Sequence, residues 1–317
     1  MSNTKISPDH FVAPLEETPL QVTDKMNEEA APTSMWNEAW QSLRTKPMFI
    51  ASVIMIFFLV LVGLFPNLFS KVAPDSGCLL DNSDDGPTHG HPLGFTKQGC
   101  DVYSRMVHGA GASLTVGLAT TIAVLLLGGL IGALAGYYGG WIDAVLSRVG
   151  DIFFALPLIL GALVLMQTPQ FKDHAGVWTV VLILTLFSWP QMARIMRGAV
   201  ITAKNADYVT AAKSLGVSRF GALIKHVIPN ALAPVIVTST MNLGIFIVAE
   251  ATLSFLGIGL PGNVMSWGND ISAARMSMRT NPGALFWPSF ALSLTVLSFI
   301  MLGDAVRDAL DPKARKR

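Results

Sequence analysis

Charge is what this sequence has least of. Only 14% of its 317 residues are Asp, Glu, Lys or Arg, against about a quarter in an ordinary soluble domain. The 22 cations nearly cancel the 21 acids, leaving a formal net charge of +1. No basic face is left over, which excludes nucleic acid as a partner. Cysteine is scarce too: Cys78 and Cys100 stand alone, with no Cys-x-x-Cys or zinc-type His/Cys spacing. The phosphate-loop pattern Gly-x4-Gly-Lys-Ser/Thr is absent, so the chain should not hold ATP by that route, and no cofactor of its own is expected. Nor does it carry the clustered nucleophiles, acids or metal ligands that a membrane enzyme would need.

What fills the chain is apolar. Hydrophobic residues make up 51% of it, and the mean hydropathy is +0.51. A bilayer core takes about 20 apolar residues per helix. Six segments qualify, at about 48–69, 112–138, 141–167, 177–198, 231–258 and 284–306. They are too long for strands and lack a period of two. The fold class is therefore an all-α polytopic membrane protein with six transmembrane helices. Residues 1–46 are polar and acidic, with Glu16, Glu17, Glu28 and Glu29, and read as a largely disordered tail. The first apolar run comes too late and is too long for a signal peptide. Trp36 and Trp40, four apart, suggest a short interfacial helix at 35–46. The expected organisation is this tail, a first span with its outer loop (47–110), a core of five helices (111–309) and a basic tail (310–317).

Lys and Arg set the orientation. With the N-terminus inside, sixteen of the 22 fall on the inner side and six on the outer side. That asymmetry predicts both termini in the cytoplasm. Two outer connections are long, at about 70–111 and 259–283. One long polar connection, between spans four and five, lies on the inner side.

That inner connection reads "DYVTAAKSLGVSRFGALIKHVIPN", Asp207 to Asn230. Asn205 and Asp207 are suitable helix N-caps, and an acid suits the positive end of a helix. Gly216 falls where a left-handed C-cap would end a first short helix. Ser218 can cap a second, which Pro229 should break, with the fifth span starting after Asn230. Tyr208, Ala211, Ala212 and Leu215 share one face of the first helix. Two alanines keep that face flat, suiting a partner's groove. A helical loop lying on the membrane surface is the competing reading.

Other residues draw the eye for single reasons. Glu250 is the only acid well inside the fifth span, and a buried intramembrane acid is a candidate for the translocation pathway. It could equally pair with a polar neighbour or steady the kink near Gly257 and Gly259. Arg148 stands three residues from Asp151 and five from Asp143, so an i, i+3 ion pair is expected. Cys78 and Cys100 share the first outer loop, where an oxidising compartment permits a disulfide; two separate thiols is the alternative. Asp81, Asp84, Asp85, His89 and His91 crowd the same loop, but such Asp-rich loops are common without metal. "GLIGALAGYYGG", Gly129 to Gly140, has small residues at i, i+4, which suits close helix packing or a pore lining.

The inner segment resembles the "EAA" loop of permease subunits in ATP-binding-cassette importers. That pattern is Glu-Ala-Ala, three residues, Gly, nine residues, then an aliphatic pair ending in Pro. Here Ala211 and Ala212 precede Gly216 by three residues, and "HVIP" with Pro229 follows nine residues later. Thr210 stands where the name-giving Glu would be. The oligopeptide and dipeptide branch has "YVxAAxxLG" and "HVLPN", which is closer. "HPLGFTKQGCDVYSRMVHGAGASL" (91–114), "WIDAVLSRVGDIFFALP" (141–157) and "AEATLSFLGIGLPGNVMSWG" (249–268) are similar to the C-type permease of that branch. Departures are Phe95-Thr96 for Thr-Asp, Cys100 and Gly111 for Arg, and a second outer loop whose Pro-rich start is reduced to Pro261-Gly262.

The resemblance implies a bacterial inner-membrane permease, not catalytic itself, that forms half of a peptide pathway. It implies four partners: a homologous second permease, two ATPase subunits or domains carrying ATP and Mg, an extracytoplasmic binding protein, and surrounding lipid. Asp207, Tyr208, Ala211, Ala212, Leu215 and Gly216 would then form the ATPase-coupling contact. A nickel chelate or another small solute is the rival substrate within this class. A secondary transporter is the rival outside it, but one would be expected to show an internal repeat and more intramembrane charge.

Overall fold

The structure, a computed structural model, describes residues 35–310. The basic C-terminal tail and most of the N-terminal tail lie outside the described residues. Thirteen helices occur in order among them: α1 (Met35–Leu43), α2 (Pro47–Leu64), α3 (Pro66–Phe69), α4 (Val102–Tyr138), α5 (Gly140–Phe154), α6 (Leu158–Met166), α7 (Pro169–Lys172), α8 (Val177–Lys204), α9 (Asp207–Ser214), α10 (Arg219–Ala222), α11 (Ile228–Phe255), α12 (Trp267–Ala274) and α13 (Pro282–Leu310). No strand is present among the described residues, only two isolated bridges in the loop after α3.

Among the described residues five helices are long and apolar enough to cross a membrane, and the bent pair α5 and α6, taken as one span, would make six. The third apolar run, expected as one helix over 141–167, is two helices bent by 79°. Pro157 is the cause. It has no N–H to give, and it pushes Leu156 away from helical geometry. The second span is also longer than expected. It begins at Val102, where the Asp101 carboxylate accepts from the Ser104 N–H, so residues 102–111 are helix and not outer loop.

The bundle is held by close backbone approach. Gly128, Gly132 and Gly136 form an i, i+4 stripe on α4 that lies against α8. A Cβ at Gly128 would sit 2.6 Å from the Trp189 carbonyl, one at Gly136 2.8 Å from that of Arg197, and one at Gly132 would collide with Ala193. The small-residue run thus serves helix packing, in line with the means available in lipid, where apolar burial gives little net drive. α2 is the outermost span: only Ser52, Leu59 and Val62 are buried along it.

Both ends of the described chain lie at one end of the bundle. Ala39 and Leu43 of α1 pack on Ala305 and Ala309 of α13, and Lys46 lies 3.5 Å from Asp308. The exposed Trp36 and Trp40 of α1 flank that contact. Ala233 and Pro234, at the start of α11, adjoin Arg307 and Leu310. The α9–α10 unit therefore shares this end, and the loops before α4 and around α12 occupy the other.

Candidate functional site

At the first end, α9 and α10 form a helix–turn–helix. The turn after α9 is a Schellman motif: Val217 N–H donates to the Ala212 carbonyl at 3.1 Å and Gly216 N–H to that of Lys213 at 3.0 Å. It requires the left-handed φ of +87° at Gly216, which only glycine adopts at little cost. Ser218 caps α10 by accepting from the Gly221 N–H at 3.1 Å. The start of α9 differs from expectation. Its N-cap is Ala206, without a side-chain bond, and Asp207 is the first helical residue, where it still faces the positive helix end. Asn205 instead closes α8.

Pro229 does not break the chain. α10 runs through a π turn (Leu223–Val227) into α11 without interruption, giving one helical run from Arg219 to Phe255. Pro229 sits in the first α-helical turn after the π turn, where the hydrogen-bonding pattern is already shifted and its missing N–H costs little.

Val209 anchors this unit. It is fully buried and joins a cluster with Met192, Met196, Val200, Leu223 and Val227. The opposite side is apolar and bare: Leu215 is 86% exposed, Phe220 65%, Ile224 47% and Tyr208 45%. Ala211 is exposed and Ala212 half-buried. Phe220 of α10 and Ile224 of the π turn are bare as well, a part the first-helix periodicity does not reach. Several large apolar groups left bare on one unit point to a contact surface.

Behind the unit lies a polar node. Asp143 pairs with Arg197, 2.6 Å from Nη2, and not with Arg148. The expected Arg148–Asp151 pair does form, at 3.6 Å between exposed groups, and Arg194 also reaches Asp151 at 3.4 Å.

At the other end, the loop between α11 and α13 folds back against the bundle. Its helix α12 carries Trp267, 1% exposed, whose Nε1–H donates to the Met106 carbonyl at 2.9 Å. Gly268 packs on α11, where a Cβ would lie 2.7 Å from Ala251 Cα. Asp270 bonds Arg105 of α4 at 2.8 Å from Nε. Burial pushes the Asp270 carboxyl up from its ordinary range, and the Arg105 charge and hydrogen bonds pull it back.

Glu250 sits beneath this loop and is fully buried. It accepts from Ser113 of α4 at 3.1 Å and Ser254 at 2.8 Å. The same serine oxygens accept from the backbone N–H groups of Trp267 (3.3 Å) and Leu260 (3.1 Å). The carboxylate thus ties α4, α11 and the loop together. A cavity of about 560 Å³ opens beside it, lined among others by Arg105, Gln167, Lys172, Ser254 and Asn269. Two cations and no acid line this cavity, and Glu250 is not among its walls.

Cys78 and Cys100 are joined in a disulfide at the rim of the same cavity, where Cys100 forms part of the wall. Reduction followed by alkylation should add two labels, and alkylation without reductant none. Labelling of both thiols without reductant would rule the bond out. In the entropic account, closing a loop of this length stabilises it by about 3 kcal/mol. Among the described residues no group of three His, Cys, Asp or Glu could hold a metal ion.

Five or six apolar spans, a helix–turn–helix at one end and a loop packed into the bundle at the other make this an all-helical polytopic membrane protein. The profile described as binding-protein-dependent transport system inner membrane component matches residues 128–316, and that of the N-terminal TM domain of oligopeptide transport permease C matches 34–87. The chain is 35% identical over 284 residues to the oligopeptide transport system permease protein OppC of Bacillus subtilis (strain 168), covering 89% of this chain and 91% of that one. It is 34% identical to the dipeptide transport system permease protein DppC of Alkalihalophilus pseudofirmus, covering 89% and 91%. It is 32% identical to the glutathione transport system permease protein GsiD of Pectobacterium atrosepticum, covering 88% and 92%. A chain of the MetNI methionine ABC transporter in an inward-facing conformation shares the fold, with a TM-score of 0.55 and 18% identity over 65% of this chain and 96% of that one.

The chain belongs to the family of binding-protein-dependent transport system inner membrane components. It is the multi-pass inner-membrane permease component of an ABC importer and is not catalytic by itself.

Proposed function

We propose that this chain forms half of a translocation pathway for peptides. A homologous permease supplies the other half, two ATPase subunits or domains bring ATP and Mg, and an extracytoplasmic binding protein delivers the peptide. α9 and α10 are the contact with an ATPase. The observation that carries this reading is the bare apolar patch of Tyr208, Leu215, Phe220 and Ile224, set on a fully buried Val209. A solvated face would gain nothing from an 86% exposed leucine, whereas a groove on a partner would bury it.

Orientation follows the same logic. The α9–α10 end holds most of the Lys and Arg, which supports placing it and both termini in the cytoplasm. The disulfide and the cavity then face the oxidising side, where a delivered peptide would arrive. Glu250 enters this reading as the group that holds the α12 loop, since it has no exposed surface.

Peptide is the substrate class supported by the relatives, whose names include oligopeptide, dipeptide and glutathione systems. Uptake of labelled di- and oligopeptides, glutathione and a nickel chelate, compared between a deletion strain and its complemented form, tests it. Deletion is expected to abolish uptake of a peptide. Loss of nickel uptake alone, with every peptide unaffected, would overturn the peptide reading.

A further inference from the structure

The α9–α10 unit is joined to the bundle covalently at two places only. One is the turn at Asn205 and Ala206 after α8, and the other is the π turn before α11. A π turn is a weak point of a helix, since its hydrogen bonds are shifted out of the α pattern. Two such joints leave an axis about which the unit can rock. Val209 packs it down, but apolar packing has no direction of its own.

A third attachment comes from a helix far away in sequence. Tyr137, the penultimate residue of α4, is 9% exposed. Its hydroxyl donates to the Arg219 carbonyl of α10 at 2.7 Å. Its ring lies under the Lys213 ammonium of α9, 5.4 Å from the centroid. Lys204, the last residue of α8, donates to the Gly136 carbonyl at 2.6 Å and fixes the α4 end against the same joint. One side chain thus touches both helices of the unit and belongs to neither neighbouring span.

The other end of α4 is tied to the loop that carries α12. Ser113 bonds Glu250 and receives the Trp267 N–H, the Met106 carbonyl receives Trp267 Nε1–H, and Arg105 holds Asp270. α4 has 37 residues and so is about 55 Å long. It is a single helix with the coupling unit fastened at one end and the loop at the other.

We propose that Tyr137 is a positioning residue for coupling. It blocks rocking of the α9–α10 unit, so that movement imposed by an ATPase passes into α4 and reaches α12. Without it the two joints absorb that movement locally. This inference rests on the ATPase-docking reading above.

The test uses the reconstituted complete transporter. Tyr137→Phe removes only the hydroxyl, and Lys213→Gln removes only the cation over the ring. Peptide transported per ATP hydrolysed should fall about fivefold in Tyr137→Phe, the equivalent of one ordinary hydrogen bond. It should fall less in Lys213→Gln. The ATPases should still co-purify and still hydrolyse ATP. In the wild type, hydrogen exchange at residues 266–274 should change between nucleotide-free and ATP-trapped states, and that change should shrink in Tyr137→Phe. A purely structural role would lower yield or Tm and leave both the ratio and the exchange response intact. An unchanged ratio in both variants overturns the inference. If Ala212→Trp lowers the ratio and these two do not, the docking reading stands and this inference alone fails. If none of the three lowers it, both fail.

Discussion

Gly216→Val and Ala212→Trp are expected to leave the permease inserted in the membrane while uncoupling ATP hydrolysis from peptide transport. The two act by different routes. Gly216 has open space around it, with nothing within 4 Å of where a Cβ would sit, but its φ is +87°. A β-branched residue there is strained by roughly 1–2 kcal/mol. The Schellman bonds to Ala212 and Lys213 would loosen, and α9 would lose its fixed angle to α10. Ala212 keeps its backbone bond on substitution, so the turn survives. A large side chain there instead stands between Tyr208 and Leu215 and holds the face off its groove. Loss of one such contact corresponds to roughly a tenfold drop in transport per ATP for 1.4 kcal/mol. Parallel assays of hydrolysis and labelled-peptide uptake in the reconstituted transporter measure the ratio. Unchanged transport in both variants would sink the docking reading.

Glu250→Leu should produce the other large effect, at the opposite end. Leucine cannot accept from Ser113 or Ser254. A stranded buried hydroxyl costs about 1–3 kcal/mol. Each serine can turn back to a carbonyl one turn earlier in its own helix, but it then gives up its part in seating the Trp267 and Leu260 N–H groups. A Tm drop of roughly 3–10 °C in detergent is expected, together with loss of uptake. Glu250→Gln keeps one acceptor oxygen and should retain most of the Tm. Loss of uptake in Glu250→Gln at an unchanged Tm would return the carboxylate to the translocation pathway. Full uptake and unchanged Tm in both variants would remove Glu250 from the mechanism altogether.

Local features of this chain are legible in its sequence because their causes are local. The six apolar runs follow from bilayer thickness, the Gly216 turn from one residue's conformational freedom, and the Ser218 cap from a neighbour three residues on. The helix break at Pro157 and the continuity at Pro229 show the limit of that logic. Both are prolines after apolar residues. One bends the chain and the other is absorbed by a π turn, a difference that the proline alone does not announce. Pairings between distant residues lie beyond its reach. Asp143 finds Arg197 across 54 residues, Ser113 finds Glu250 across 137, and Arg105 finds Asp270 across 165. The Arg148–Asp151 pair, by contrast, is legible because its partners stand three residues apart on one helix. Val209 is hidden for a related reason: a lone valine in an eight-residue helix carries no periodic signal, yet it is the residue that decides which face is bare.

The part of the helical run beyond the π turn, Ile228 to Phe255, has a geometric consequence of its own. It contains 28 residues and is therefore about 42 Å long. Pivoted at the π turn, such a lever sweeps about 4 Å at the far tip for a tilt of only about 5°. Glu250 rides near that tip. A shift too small to break any contact at the α9–α10 end becomes, at the other end of the bundle, about as large as the length of a hydrogen bond.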